Sequence, residues 1–205
     1  MARTKMGDDS ATRRQILRAA AKRFAHAGYS ATSVQQIVND AKVSKPALYY
    51  YFKDKAGLFQ ALVHEAHDER YRLMTEAAGR TTGIRAQLEE ILDVLFNYVH
   101  KNRELMRIAF ATMLAAPGEI PPDLGHGEKC ERNFEFVHSL IKQAQKSGAL
   151  DKRRDSQKLT ISFYGVANFY LVTHLVCPDF RADKKTAARV VDLYLNGAGP
   201  KKSRN

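Results

Sequence analysis

Residues Thr32–Lys55 have the sequence TSVQQIVNDAKVSKPALYYYFKDK. The first half of this stretch predicts a short helix. Thr32 and Ser33 are both N-cap residues, and each is followed three positions later by glutamine, as a capping box requires. Apolar residues then recur at helical spacing as far as Ala41. The residues from Asp40 to Val43 predict the end of this helix and a turn.

The second half of the stretch predicts another helix directly after the turn. Ser44 is a second N-cap, and Pro46 lies in the first turn, where its missing N–H costs nothing. The helix Lys45–Tyr51 has about two turns, too few to be stable alone, so Leu48 and Phe52 must pack it against the first helix. Its outer face has an aromatic, hydroxyl-rich surface that suits the DNA major groove. The residues on that face are Lys45, Ala47, Tyr49, Tyr50 and Tyr51.

The distribution of charge agrees with a DNA-binding head. The 205 residues carry a net charge of +11. Residues 1–55 contain eleven Lys or Arg against four Asp or Glu, and residues 56–205 contain 22 against 18. Charge alone would also fit a basic protein that is merely soluble, but the motif inside the basic segment favours nucleic-acid binding.

The rest of the chain predicts an all-α protein with about nine helices, because no strand-like alternation occurs. Residues 1–9 are expected to form a mobile basic arm, from which Arg3 and Lys5 could reach phosphates or the minor groove. We predict a DNA-binding domain over 1–54, a helical effector-binding and dimerisation domain over 55–199, and a basic tail over 200–205. Besides the two short helices, the predicted helices cover about 11–27, 54–78, 84–100, 102–116, 128–147, 155–177 and 183–196.

A resemblance to a known family rests on the same motif. Residues Val43–Lys55, VSKPALYYYFKDK, followed by Leu58 and Phe59, resemble the signature of TetR-family transcriptional regulators. The likeness extends from about Thr12 to Leu62. It implies a three-helix helix-turn-helix head on a larger helical body that binds an effector and dimerises.

The chain departs from the family pattern at two positions. Lys42 stands in the turn where the family usually has glycine, and Pro46 stands in the recognition helix where glycine is common. A lysine in the turn implies either a turn without positive φ or some strain. Proline in the first helical turn is physically acceptable.

The predicted DNA contacts lie in and around the two short helices. Lys45 can donate to guanine or to phosphate, Ala47 can contact a thymine methyl, and the hydroxyls of the tyrosines can reach phosphates. Lys55, at the start of the next helix, suits a phosphate. The full predicted set is Ser33, Gln35, Ser44, Lys45, Pro46, Ala47, Tyr49, Tyr50, Tyr51 and Lys55.

The last two helices predict a homodimer. Residues 161–177 are apolar almost all round, so one side of this helix packs in its own domain and the other needs a partner. The resemblance implies that this partner is a second copy in a C2 dimer. The predicted interface residues are Phe163, Val166, Ala167, Tyr170, Val190, Val191 and Tyr194.

The helical body is rich in aromatic and methionine side chains, which fits either an ordinary core or a ligand pocket. The resemblance implies an inducer, with Arg107, Tyr164, Asn168 and His174 fixing its polar groups. The predicted ligand-binding residues are Phe96, Met106, Arg107, Phe110, Met113, Phe134, Val137, Tyr164, Asn168 and His174.

Motifs for catalysis are absent from the sequence. His64 and His67 are three residues apart on one helix, but no third metal ligand follows at diagnostic spacing. The chain has no nucleotide-binding glycine motif, serine nucleophile elbow or Cys-x-x-Cys. Cys130 and Cys177 are expected to be small core residues. We therefore expect no metal, no cofactor and no enzymatic activity.

Localisation follows from similar arguments. Polar residues interrupt the most apolar run, Ile161–Cys177, and no apolar segment resembling a secretory signal begins the chain. The expected protein is cytoplasmic, with no membrane partner.

These inferences predict a ligand-responsive regulator, most simply a repressor, that binds a palindromic operator as a dimer and is released by a small lipophilic effector. One alternative is a constitutive or architectural DNA-binding protein with a filled core and no effector. Another is a helical enzyme that does not use the head, which would fail to bind DNA and show turnover dependent on His64 or His67.

Overall fold

The computed structural model describes residues 3–116, 118–177 and 179–198. Within these ranges the chain forms nine helices and no strand, which confirms the all-α prediction. The helices are α1 (Arg3–Ala31), α2 (Val34–Ala41), α3 (Lys45–Tyr51), α4 (Lys55–Gly79), α5 (Ile84–Lys101), α6 (Arg103–Ala111), α7 (Gly127–Lys146), α8 (Ser156–Val176) and α9 (Lys184–Asn196).

Helix α1 differs from its predicted extent at its start, whereas a break at Gly28 agrees with the predicted end near residue 27. It begins at Arg3 rather than Ala11, so the predicted mobile arm is helical from Arg3 onward. Near its end, Gly28 has φ 79° and ψ 169°, a break in helical geometry that glycine tolerates because it lacks a Cβ. Residues 1–2 of the predicted arm and the predicted basic tail, 200–205, lie outside the described residues.

The chain divides into two compact units. The first unit comprises Met1–Asp68 with Asn102–Glu128, and the second comprises Glu69–Lys101 with Lys129–Asn205. The first unit therefore contains the start of α4, all of α6 and the segment before α7, in addition to the predicted DNA-binding domain. The functional division at residue 54 stays a prediction.

The core of the first unit holds the two short helices in place. Ile37 of α2 and Leu48 of α3 are completely buried, and Phe24 and Phe52 are nearly so. The burial of Leu48 and Phe52 agrees with their predicted packing. Two buried side chains come from distant parts of the sequence: Ile108 from α6 and Leu124 from the segment before α7. Burial of this apolar surface stabilises α3, which has too few turns to be stable alone.

The core of the second unit includes apolar side chains of α5, α8 and α9. Helix α8 is, among the described residues, the helix long and apolar enough to cross a membrane, but core helices of other proteins pass the same test. Its buried side includes Phe163, Leu171 and Leu175. The opposite side exposes Ile161, Phe169 and Val176.

This arrangement corrects the predicted dimer surface. Phe163, Ala167, Val190 and Val191 are buried, so these side chains belong to the core of the second unit. Tyr194 is half-buried and its hydroxyl donates to the Leu159 carbonyl at 3.0 Å. Val166 and Tyr170 are also half-buried.

The cysteines need a second correction. Cys130 and Cys177 are both exposed rather than buried in the core.

Candidate nucleic-acid interface

The N-terminus of α2 is fixed by a capping box. The Ser33 hydroxyl accepts from the Gln36 amide at 3.2 Å, and the Gln36 side-chain oxygen accepts from the Ser33 amide at 2.8 Å. Thr32, the other predicted cap, is buried and donates to the Gly28 carbonyl at 2.7 Å. Ser33 alone is therefore the cap, and Thr32 ties the end of α1 to the start of α2.

The turn between α2 and α3 depends on Lys42. This residue has φ 53° and ψ 43°, in the left-handed region, and no other non-glycine residue in the described ranges has positive φ. The sequence left open either a turn without positive φ or a strained turn, and the positive φ of Lys42 corresponds to the strained turn. Its amide donates to the carbonyls of Val38 and Asn39, which closes α2.

Helix α3 is held from behind and exposed in front. The Ser44 hydroxyl accepts from the Ala47 amide at 3.3 Å, which caps the helix, and Leu48 is fully buried beneath it. Tyr49 and Tyr50 are 49% and 73% exposed. Lys45 and Pro46 are also exposed, while Ala47 is half-buried. Most of the residues predicted on the outer face of α3 are thus exposed, but the third tyrosine, Tyr51, is half-buried.

Tyr51 is joined to α1 instead of facing outward. Its hydroxyl donates to a carboxylate oxygen of Asp9. This hydrogen bond to Asp9 raises the pKa of Tyr51 to about 12. The Tyr51 hydroxyl proton therefore has an acceptor within the protein, and the contact of Tyr51 with DNA stays a prediction.

Lys55 also has a role different from the predicted one. Its ammonium donates to the carbonyls of Tyr29 and Thr32, both at 2.9 Å, and lies 4.2 Å from the centroid of the Tyr29 ring. Lys55 therefore braces the connection between α1 and α2 rather than standing free for a phosphate. The N-terminus of α4 is capped by Asp54, which accepts from the Gly57 amide at 2.7 Å.

The last predicted DNA contact, Gln35, lies on the exposed side of α2. Its side-chain amide donates to the side-chain oxygen of Asn39 at 2.8 Å. Gln35 is thus exposed to solvent in the first turn of α2.

A basic groove in the first unit was missed by the sequence-based prediction. It has a volume of about 830 Å³ and runs beside α1 and the end of α2. The Arg23 guanidinium forms a two-bond ion pair with Asp40 and lowers the pKa of that carboxyl. The other cationic or titratable side chains that line the groove are Arg18, Lys22, His26 and Lys42. The spacing of Arg18, Lys22 and Arg23 on α1 was the sequence signal that could have predicted this groove.

The ten predicted ligand-binding residues are divided between the units. Met106, Arg107, Phe110 and Met113 belong to the first unit, and the other six belong to the second. Arg107 is exposed and Met113 is 64% exposed. Val137 is completely buried in the second unit.

In the second unit, three of these residues lie together. Tyr164 donates to the Asn133 carbonyl at 2.7 Å, and its ring stacks on Phe134 with centroids 5.8 Å apart. Burial raises the pKa of Tyr164. Arg70, which the sequence-based prediction missed, lies with its guanidinium carbon 5.4 Å from the Tyr164 ring and donates to the Asn168 side chain at 3.3 Å.

His174 and Phe96 form a separate cluster. Their ring centroids are 6.2 Å apart. The His174 Nδ1 accepts from the Ala182 amide at 3.0 Å, which ties the end of α8 to the segment before α9. This contact supports a structural role for His174.

The histidines considered for a metal have other contacts. The His64 Nε2 lies 2.8 Å from the Leu124 carbonyl, and the His67 ring stacks on His126 with centroids 5.8 Å apart. In the part of the chain that the structure describes, no group of three or more side chains is arranged to hold a metal ion.

Comparison with known proteins agrees with this geometry. Residues 16–62 match the family model for bacterial regulatory proteins of the tetR family. The HTH-type transcriptional regulator AcrR of Shigella flexneri is 32% identical over 199 residues, covering 95% of this chain and 93% of AcrR. The probable HTH-type transcriptional regulator YttP of Bacillus subtilis is 33% identical over 102 residues, and the match covers 49% of its length.

The fold is also similar to solved structures. FadR from Bacillus subtilis, solved in complex with stearoyl-CoA, superposes with a TM-score of 0.75 and 20% identity, covering 90% of this chain and 98% of FadR. At this identity the likeness concerns the fold.

Proposed function

The chain belongs to the TetR family of transcriptional regulators, and from this premise we propose that it is a cytoplasmic repressor that binds a palindromic operator as a homodimer. We further propose that a small lipophilic effector releases it from DNA. The observation that carries the DNA-binding part is the exposure of Lys45, Tyr49 and Tyr50 on a helix anchored from behind by the fully buried Leu48.

The proposed contacts divide by type. Lys45, in the first turn of α3, donates to guanine O6 and N7 or to a phosphate, and Ala47 contacts a thymine methyl. Tyr49 and Tyr50 donate their hydroxyls to phosphates and pack along the sugars. The basic groove beside α1 adds positive potential, which increases the rate of association with DNA.

The exposed side of α8 supports the proposed homodimer. Ile161, Gly165 and Phe169 are spaced by four residues and form one exposed stripe that continues to Val176. A second copy applied to this stripe would remove its apolar surface from water. Two recognition helices in such a dimer would read half-sites about one helical turn apart.

Repression and release follow from coupling between the two ligands. If the effector lowers the affinity for the operator, the operator lowers the affinity for the effector by the same factor. FadR, which has a similar fold, was solved with stearoyl-CoA bound, and this supports an effector site in the fold. The identity of that ligand applies to FadR alone.

Selection of bound duplexes from a random pool tests the proposal. We expect the purified protein to enrich a palindrome whose half-sites are centred about 10 base pairs apart. A pool with no enriched sequence after repeated rounds would contradict the proposed function.

A substitution at Lys45 tests the role of α3. We expect Lys45→Ala to weaken binding to the selected operator by about 1–3 kcal/mol, with the sequence preference relaxed at one position, if the lysine reads a base. Titration of labelled operator measures this change. Lys152→Ala removes the same charge from an exposed site in the second unit and serves as the control. Equal affinities of the Lys45 variant and the wild type would remove Lys45 from the set of DNA contacts.

A further inference from the structure

Arg70 on α4 is the basis of an inference about the effector. We propose that Arg70 binds the anionic group of the effector, and that the effector is an organic carboxylate or phosphate attached to an apolar body. This inference rests on the proposed function, because it names the chemical class of the ligand that the regulator senses.

Arg70 lacks a carboxylate partner on its own helix. None of the residues three or four positions before or after it is acidic. The adjacent Glu69 is held by Arg72 through bonds of 2.6 and 2.8 Å, and Arg72 also binds Glu76 at 2.6 Å. Within the described ranges, Arg70 forms no ion pair, so its charge is not neutralised by a neighbouring side chain.

The guanidinium of Arg70 is also incompletely hydrogen-bonded. It donates to Asn168 through Nη2 at 3.3 Å, but its Nε is buried and has no hydrogen-bond partner. Arginine cannot relieve this cost by losing its proton. A carboxylate or phosphate offers two oxygens at the spacing of the guanidinium donors, which makes an anion the ligand that best satisfies this group.

The surroundings of Arg70 suit an apolar body beside the anionic group. Its guanidinium carbon lies 5.4 Å from the Tyr164 ring, and that ring stacks on Phe134 at an interplanar angle of 20°. The Tyr164 hydroxyl already donates to the Asn133 carbonyl, so this aromatic surface offers ring faces and edges more than hydrogen bonds.

Isothermal titration calorimetry on the full chain without DNA tests this assignment. The probes are decanoate, decyl phosphate and decanol, which share a ten-carbon body and differ in the head group. We expect at least one of the two anions to bind at least tenfold more tightly than decanol, and the stronger of the two identifies the head group. Equal affinities of decanol and both anions, or no binding of either anion, would overturn the proposal without any variant.

Variants then locate the anion. We expect Arg70→Gln to reduce the advantage of the anion over decanol to less than threefold, and Arg70→Lys, which keeps the charge, to retain part of it. Arg154→Gln, at an exposed position of the second unit, serves as the control and should bind the anion within twofold of the wild type. An unchanged advantage in folded Arg70→Gln would overturn the assignment.

The outcomes separate the two proposals. A protein that enriches a palindromic operator but binds neither anion keeps the proposed function and loses this inference. A protein that binds the anion through Arg70 but enriches no DNA sequence keeps the anion site and contradicts the regulator.

Discussion

At the scale of the residue, Lys42 shows a turn formed against the conformational preference of its side chain. A non-glycine residue in the left-handed region costs of order 1–3 kcal/mol and persists where its surroundings determine it. Before Lys42, those surroundings are the hydrogen bonds that its backbone N–H donates to the carbonyls of Val38 and Asn39. After Lys42, they are the helix that is capped by Ser44.

Replacing Lys42 with glycine should stabilise the protein. Lys42→Gly removes the Cβ that disfavours φ 53°, but it also increases the freedom of the unfolded chain, which offsets part of the gain. We expect the free energy of unfolding in urea to rise by about 1 kcal/mol. Lys42→Ala keeps the Cβ while removing the charge, so it should stay near the wild type. A glycine variant no more stable than the alanine variant would mean that the turn is not strained.

Lys55 provides a test of the brace between α1, α2 and α4. Lys55→Met keeps most of the apolar stem but leaves the Tyr29 and Thr32 carbonyls without this donor. We expect the free energy of unfolding to fall by about 1–3 kcal/mol, in the range for hydrogen bonds from charged groups. Lys53→Met, at an exposed site two residues earlier, is the control. Equal unfolding curves for the two variants would contradict the bracing role.

Tyr51 contributes to the pH dependence of the first unit at alkaline pH. Its pKa in the folded protein is raised to about 12 by the bond to Asp9, above the ordinary value of about 10. The corresponding stabilisation is complete below pH 10 and is lost as the pH rises through 12. We expect Tyr51→Phe to lose less stability than the wild type between pH 10 and 12, measured by urea unfolding at fixed pH. Tyr50→Phe, at an exposed position, should follow the wild type.

At the scale of the element, the helices whose signals are local were predicted best. Ser33 and Ser44 act within three residues of themselves, and the sequence contains all that is needed to recognise the caps of α2 and α3. The start of α1 was predicted at about residue 11, yet the helix begins at Arg3.

Contacts between distant residues explain most of the remaining differences. Tyr51 finds Asp9, and Lys55 finds two carbonyls more than twenty residues before it. No spacing rule reveals such partners, so both residues were predicted to contact DNA on the strength of position alone. Helix α8 presents a related difficulty: because it is apolar almost all round, periodicity cannot show which side is buried.

At the scale of the whole molecule, the exposed stripe of α8 should determine the association of two copies. Phe169 is 73% exposed at the middle of this stripe. We expect Phe169→Glu to weaken the proposed dimer by at least about 2 kcal/mol, as expected for an aromatic residue at the centre of an interface. Sedimentation equilibrium measures the dissociation constant.

The control for this prediction is Leu114→Glu. Leu114 is 93% exposed and belongs to the first unit, so the same substitution there tests the general effect of adding a charge. A Phe169 variant as dimeric as the Leu114 variant would place the contact between copies elsewhere on the protein.

The burial of Ile108 and Leu124 among the side chains of α1 to α4 has a practical consequence for protein engineering. A fragment cut after residue 54, or a chimera that joins only those residues to a foreign sensor domain, would lack Ile108 and Leu124. It would also expose the apolar surface that these two side chains cover. Transplanting the operator specificity of this protein therefore requires Met1–Asp68 and Asn102–Glu128 together, because segments distant in the sequence share one core.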